Sequence, residues 1–155
     1  MKKEMVAILA LVCVLLISGC TSQNQSDKTA NNTITTLAND ASAVQKVEVL
    51  HFHGTHQCQS CINVGRCAED AINEYFQSEQ RFGILVFAHV NAELPENADL
   101  VQQYDPTGSS LWIGVYNKNG SFSKEQNINV WYKTSDMEKC REYIKEVIEG
   151  KLKGE

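Results

Sequence analysis

Cys58-Gln-Ser-Cys61 places two thiols three residues apart, close enough to share a disulfide and to exchange it with an outside thiol. The pair follows an apolar stretch, Val47 to Phe52, and opens an amphipathic segment that runs to about Ser78. Strand, turn and then helix is the order this predicts. A cysteine at a helix start meets unsatisfied N–H groups and the positive end of the helix dipole, which favour thiolate over thiol. The chemistry implied has two steps: Cys58 forms a mixed disulfide with a partner, and Cys61, one turn further in, resolves it by attacking Cys58. His56, two residues before Cys58, offers an imidazolium that would lower the thiol pKa or shuttle a proton. An exposed turn histidine with no role fits the sequence equally well.

Two other chemistries compete for the same residues. The first is a permanent cystine, which exported proteins use for stability. Closing a four-residue loop removes little chain entropy, however, so the place is better suited to reactivity. The second is metal binding, because His51, His53, His56, Cys58 and Cys61 put three imidazoles and two thiols within eleven residues. Such ligands suit cuprous copper or zinc. In a strand, however, His51 and His53 point to one face and Phe52 to the other, so the turn would have to fold back for all five to converge. Copper is thus the alternative cofactor; the dithiol itself needs none.

The elements around the dithiol alternate. Val47 to His53 reads as a buried strand, and Cys61, Val64, Ala68, Ala71 and Tyr75 recur at helical spacing behind it. Phe82 to Val90 reads as a second strand, Pro95 to Tyr104 as a short helix, and Leu111 to Tyr116 as a third strand. Asn117-Lys-Asn-Gly120 is turn chemistry that sends a fourth strand back from Ser121 to Trp131. Ser135-Asp-Met-Glu138 reads as a capping box before a last helix striped by Met137, Cys140, Ile144 and Ile148. Trp112, Trp131 and Tyr132 read as core or hairpin packing; a partner surface on a redox-inert interaction module is their other use. Cys67 and Cys140 fall on or beside the apolar stripes of the first and last helices. A structural bridge between them is the expectation; two unlinked buried thiols and a relay from Cys61 are the alternatives.

The order βαβαββα, with a dithiol at the first strand-to-helix junction, resembles the thioredoxin-like oxidoreductases. This resemblance implies an α/β fold with a four-stranded mixed sheet and helices on both faces. The stretch His51-Phe-His-Gly-Thr-His-Gln-Cys58-Gln-Ser-Cys61, with the later Ser109-Ser110-Leu111 strand entry, resembles the ArsF-type nitrophenyl-compound nitroreductase subunits. It covers about Val47 to Leu152. Thioredoxin-like oxidoreductases usually carry a cis-proline before the third of these strands, where a substrate peptide is held. Here Gly108, Ser109 and Ser110 occupy that platform, with Pro106 several residues early. A non-proline cis bond costs about 3 kcal/mol, so trans geometry is expected.

Residues 1–19 combine Lys2 and Lys3 with an apolar run from Met5 to Ile17, too short to span a membrane comfortably, closed by Ile17-Ser18-Gly19-Cys20. This resembles a lipoprotein signal in which Cys20 becomes the lipid-bearing N-terminus. Residues 20–45 are rich in Asn, Thr, Ser and Gln and read as a flexible tether; 46–155 then form one domain. Without the segment before Cys20, 12 basic and 18 acidic residues remain, a net charge of −6, which argues against a nucleic-acid partner. The expectation is an extracytoplasmic lipoprotein, anchored to a membrane and exchanging disulfides with a protein partner such as a membrane electron-transfer protein. No glycine-rich nucleotide motif is present, so any reduction of nitro compounds or arsenicals would need another subunit.

Overall fold

The structure, a computed structural model, describes residues 43–155. Cys20, the 1–19 signal and nearly all of the 20–45 tether lie outside the described residues. The elements are β1 (Val44–His53), α1 (Gln59–Tyr75), α2 (Gln77–Arg81), β2 (Leu85–Asn91), a 3₁₀ turn at Pro95–Asn97, α3 (Ala98–Tyr104), β3 (Ser110–Asn117), β4 (Phe122–Gln126), a 3₁₀ turn at Ile128–Tyr132 and α4 (Met137–Lys153). The sheet order is β2-β1-β3-β4. β1 and β2 are parallel, while β1/β3 and β3/β4 are antiparallel. This mixed sheet with its βαβ crossover and terminal hairpin is the thioredoxin fold.

Alternation along β1 divides the core into two layers. Val47 and Val49 face α1 and α4 and pack with Val64, Cys67, Ala68, Ile72, Ile144 and Ile148. Leu50 and Phe52 face the other way, toward Tyr104 and the partly buried Leu100 and Val101 of α3. Helices therefore cover both faces, and each fully buried aliphatic side chain contributes about 1.5–3 kcal/mol. Gly114 on β3 has no Cβ because one there would run into the Tyr104 hydroxyl. That space lets the Tyr104 and Tyr116 hydroxyls each donate to Glu48 Oε2 at 2.9 Å.

Several boundaries differ from the sequence expectation. β1 begins at Val44 rather than Val47, because Val44 pairs with Asn117 across a bulge. The helix behind the dithiol stops at Tyr75, and Gln77–Arg81 form a separate short turn of helix, so the second strand starts at Leu85 instead of Phe82. The fourth strand ends at Gln126. Asn127 breaks it by accepting from the Val130 N–H and capping the 3₁₀ turn. The last helix is capped by Asp136, whose side chain accepts from the Lys139 N–H, and not by Ser135. Tyr132 is 77 % exposed rather than packed in the hairpin.

A disulfide joins Cys67 of α1 to Cys140 of α4, with the Cα atoms 6.1 Å apart and a sequence separation of 73. Both residues are fully buried. Closing so long a loop restricts the unfolded chain by about 4 kcal/mol in the chain-entropy account. The Cys67→Ala/Cys140→Ala double variant is therefore expected to unfold at a clearly lower urea midpoint, losing about that amount; an unchanged midpoint would remove this role.

Candidate active site

The dithiol sits where β1 hands over to α1. Cys58 is the N-cap residue, with extended backbone (φ −78°, ψ 160°), and its sulfur accepts from the Cys61 N–H at 3.2 Å. A sulfur thus fills the place where Ser, Thr or Asp usually satisfies a free N–H of the first turn. Cys58 and Cys61 are disulfide-bonded, with Cα atoms 5.1 Å apart. Cys58 is exposed and Cys61 half-buried. An incoming thiolate can reach the first sulfur more readily than the second. On reduction, the same N–H and helix terminus favour the Cys58 thiolate.

The loop before Cys58 is held by β2 and the segment after it. The Ala92 N–H donates to the His53 carbonyl at 2.8 Å, and the Thr55 N–H donates to Glu93 Oε2 at 3.0 Å. The Thr55 side chain, first, and its N–H hold the Glu93 carboxyl below the ordinary carboxylate range. A Cβ at Gly54 would lie 2.9 Å from Glu93 Oε1, so any larger residue there would push the end of the Glu93 side chain aside. His56 lies exposed in this loop and makes no hydrogen bond to Cys58.

Gly108, Ser109 and Ser110 lie at the same end of the sheet, since Ser110 pairs with Phe52 of β1. The Ser110 hydroxyl donates to the Gly108 carbonyl at 2.9 Å and accepts from Trp112 Nε1 at 3.1 Å. Ser109 Oγ is buried without a partner. Among the described residues no peptide bond is cis.

Beneath α1 lies a histidine cluster. His51 is only 1 % exposed, on the face of β1 covered by α1, and His89 is its register partner on β2. Their Nδ1 atoms are 2.9 Å apart, and His89 Nε2 lies 3.3 Å from Glu69 Oε2 on α1. The His53 ring stacks on His51 at 5.5 Å between centroids. Burial, then the charges His89 and His53 would carry, push the His51 pKa down to about 4; the Cys61 backbone carbonyl pulls the other way. Helix α1 can approach this closely because residue 65 is glycine: a Cβ would sit 2.6 Å from His51 Cε1 and 2.8 Å from His89 Cε1.

The five-ligand set does not assemble as the metal alternative requires. His51 lies under α1, the His53 ring turns to the Gly54 carbonyl at 2.8 Å, and His56 is exposed in the loop. Among the described residues no three His, Cys, Asp or Glu side chains are arranged to hold a metal ion. Sequence reasoning also missed Gly65 and Glu69. A glycine in the interior of a helix costs about 1 kcal/mol against alanine, and that was the available signal for close packing at this point.

No family model and no curated protein matches the chain. Solved structures do match. They include human ERp44 in a zinc-bound form, at 21 % identity and TM-score 0.43, covering 74 % of this chain and 28 % of that one. A thioredoxin from Thermus thermophilus matches at 15 % identity and TM-score 0.43, covering 76 % and 84 %. A disulphide isomerase from Xylella fastidiosa Temecula1 matches at 13 % identity and TM-score 0.39, covering 84 % and 99 %. The chain spans about a quarter of the length of ERp44 and most of the length of the other two.

Two outcomes follow from the buried imidazole. Above pH 6.5 His51 is neutral in both folded and unfolded chains. Between 6.5 and about 4 the unfolded chain takes up a proton that the folded one excludes, so stability falls as pH falls. The loss reaches at most roughly 3 kcal/mol and levels off below the folded pKa. Urea titrations across this window should show a shallower fall in His51→Gln than in the native chain; parallel curves would refute the assignment. Gly65→Ala should destabilise by roughly 1–3 kcal/mol despite the better helix propensity of alanine, because its methyl overpacks both rings.

Proposed function

We propose that the protein is a thiol-disulfide oxidoreductase, a dithiol carrier working through Cys58 and Cys61. The observation that carries this reading is an exposed sulfur at a helix N-cap, bonded to a half-buried partner one turn inside. Cys58 exchanges with the partner protein and Cys61 resolves the mixed disulfide. A purely structural cystine gains nothing from exposing one sulfur at the positive end of a helix. The Cys67–Cys140 bridge already supplies a long-loop constraint, with both ends buried in the core.

On the lipobox-like Ile17-Ser18-Gly19-Cys20 and the polar tether, we read the domain as held at the outer side of a membrane by lipid on Cys20. Its partner is then a protein that moves reducing equivalents at that membrane. The His51–Cys61 stretch and the Ser109-Ser110-Leu111 strand entry support membership of the ArsF-type group. The carrier role needs no cofactor, and reduction of nitro compounds or arsenicals would fall to another subunit. Gly108, Ser109 and Ser110 form the platform beside which a substrate backbone would lie. Copper handling is the second reading; it rests on the ligand types of His51, His53, His56, Cys58 and Cys61, which among the described residues are not arranged around one ion.

Equilibration in graded glutathione buffers, with alkylation and mass mapping, tests both readings. The expected result is a reversible Cys58–Cys61 couple with Cys58 as the alkylated residue, and loss of all exchange in Cys58→Ser. A Cys58–Cys61 bond that resists reduction would instead identify a structural cystine. Thiols shielded only when cuprous ion is added would favour copper handling.

A further inference from the structure

Phe82 is 74 % exposed, and Ile84 and Val86, which follow it at alternate positions, are 39 % and 38 % exposed. Three apolar side chains left to water in one run mark a surface that something covers. The backbone presents them rigidly. Gly83 takes φ 69°, its N–H donates to the Gln80 carbonyl at 3.0 Å, and the Ile84 N–H donates to the Glu79 carbonyl at 2.9 Å, a Schellman ending of α2. The Val47 N–H then donates to the Ile84 carbonyl at 2.8 Å, which fastens this turn to the start of β1. Val86 lies beside Glu48 in the parallel register, and Ile84, two residues earlier, shares its face. Helix α3 covers that face only farther along, over Leu50, Phe52 and Val90. A cavity of about 480 Å³, lined by Gln45, Lys46, Phe82, Gly83, Ile84 and Tyr116, joins the patch to β1.

The chain enters the domain at this same pole. Val44 opens β1, and residues 21–43 separate it from Cys20. A polar chain of that length reaches on the order of 25 Å, so lipid on Cys20 would keep the Phe82 pole close to the headgroups. Contact with the bilayer is then intramolecular, and a patch too small to hold a free protein suffices. We propose that this pole rests on the lipid surface, with Phe82 at the headgroup boundary, where aromatic rings are favoured, and Ile84 and Val86 against it. The inference rests on the lipid-anchored reading of Cys20 above. Arg81, exposed next to the ring, suits the phosphates of the headgroups. The dithiol lies past His53, at the opposite end of β1. The ten residues of that strand, about 30 Å at the usual rise, stand between the membrane and the exposed sulfur of Cys58. Cys58 therefore faces away from the bilayer. A partner with its reactive cysteines at the membrane plane cannot meet it, so the partner carries them on a domain that stands off the membrane by a similar height.

The test uses the full-length chain, lipid-modified at Cys20, in vesicles of phosphatidylcholine with a minor share of phosphatidylglycerol and bromine on the acyl chains. Phe82→Trp places a fluorophore in the patch. Tyr132→Trp places one at the other strongly exposed aromatic position, beyond Asn127, whose N–H donates to the carbonyl of Leu111 opposite His51, toward the dithiol end. Above the emission of Trp112 and Trp131, the tryptophan at position 82 should shift to the blue and be quenched by the bromines, and the one at position 132 should do neither. Flotation with the vesicles and the mass of the N-terminal segment report the anchor separately. A chain that floats with its vesicles but shows no quenching at position 82 overturns the docking, whether water or a second copy of the chain covers the patch, and leaves the anchored carrier intact. Equal quenching at positions 82 and 132 also overturns it, because the domain then has no fixed pole. A chain that carries no lipid on Cys20 and stays in solution removes the anchor and the docking together.

Discussion

Helix α1 answers to two demands at once, and the rest of the domain follows from how it meets them. Its inner face must close over Val47, Val49 and Leu111, burying Val64, Cys67, Ala68 and Ile72. Its first turn must stand clear of that core with Cys58 in solvent. An amphipathic helix laid on a twisted sheet can do both only if it approaches closely in its middle, and Gly65 is the position that allows it. The space a side chain would have filled is occupied by the imidazoles of His51 and His89 instead. The dithiol therefore rests on a polar floor, although the layer around it is apolar.

The bridge to α4 makes this arrangement compatible with redox cycling. Cys67 lies six residues beyond Cys61, about 9 Å along the helix by its rise per residue, and ties the buried part of α1 to Cys140. The bond between Cys58 and Cys61 spans only the cap and the first turn. It can open and close there while the core contacts of α1 stay in place. One cystine is sealed in the core and the other has a sulfur open to solvent, a difference in burial that separates a restraining role from the proposed reactive one.

The opposite face of the sheet is organised by a carboxylate. Burial works to raise the Glu48 pKa, but hydrogen bonds from Lys46, Tyr116 and Tyr104 outweigh it and hold the group ionised. Burial, then the Glu48 charge, raises the pKa of Tyr104, which therefore remains a donor. This network secures α3 against β1 and β3, with Gly114 giving the Tyr104 hydroxyl room. The two polar clusters of the domain thus sit on different faces of β1, one beside the chemistry and one remote from it.

The sequence by itself determined the local features: the dithiol at a strand-to-helix junction, the order of the elements, the Asn117–Gly120 turn with Gly120 at φ 82°, and the division of His51 and Phe52 between the two faces. Each is set by short-range periodicity or by one residue's backbone preference, so reading along the chain suffices. Ends of elements were less legible. Ser135 and Asp136 are both good caps, and only the N–H that Asp136 reaches decides between them. Asn127 ends β4 because its side chain bonds the Val130 N–H and accepts from the Tyr143 hydroxyl of α4, a partner 16 residues away. The pairing of Cys67 with Cys140, and the line from Glu69 through His89 to His51, were decided by tertiary structure alone. The line joins residues on α1, β2 and β1 that meet only when parallel pairing sets His89 beside His51 and Gly65 brings the helix down upon both.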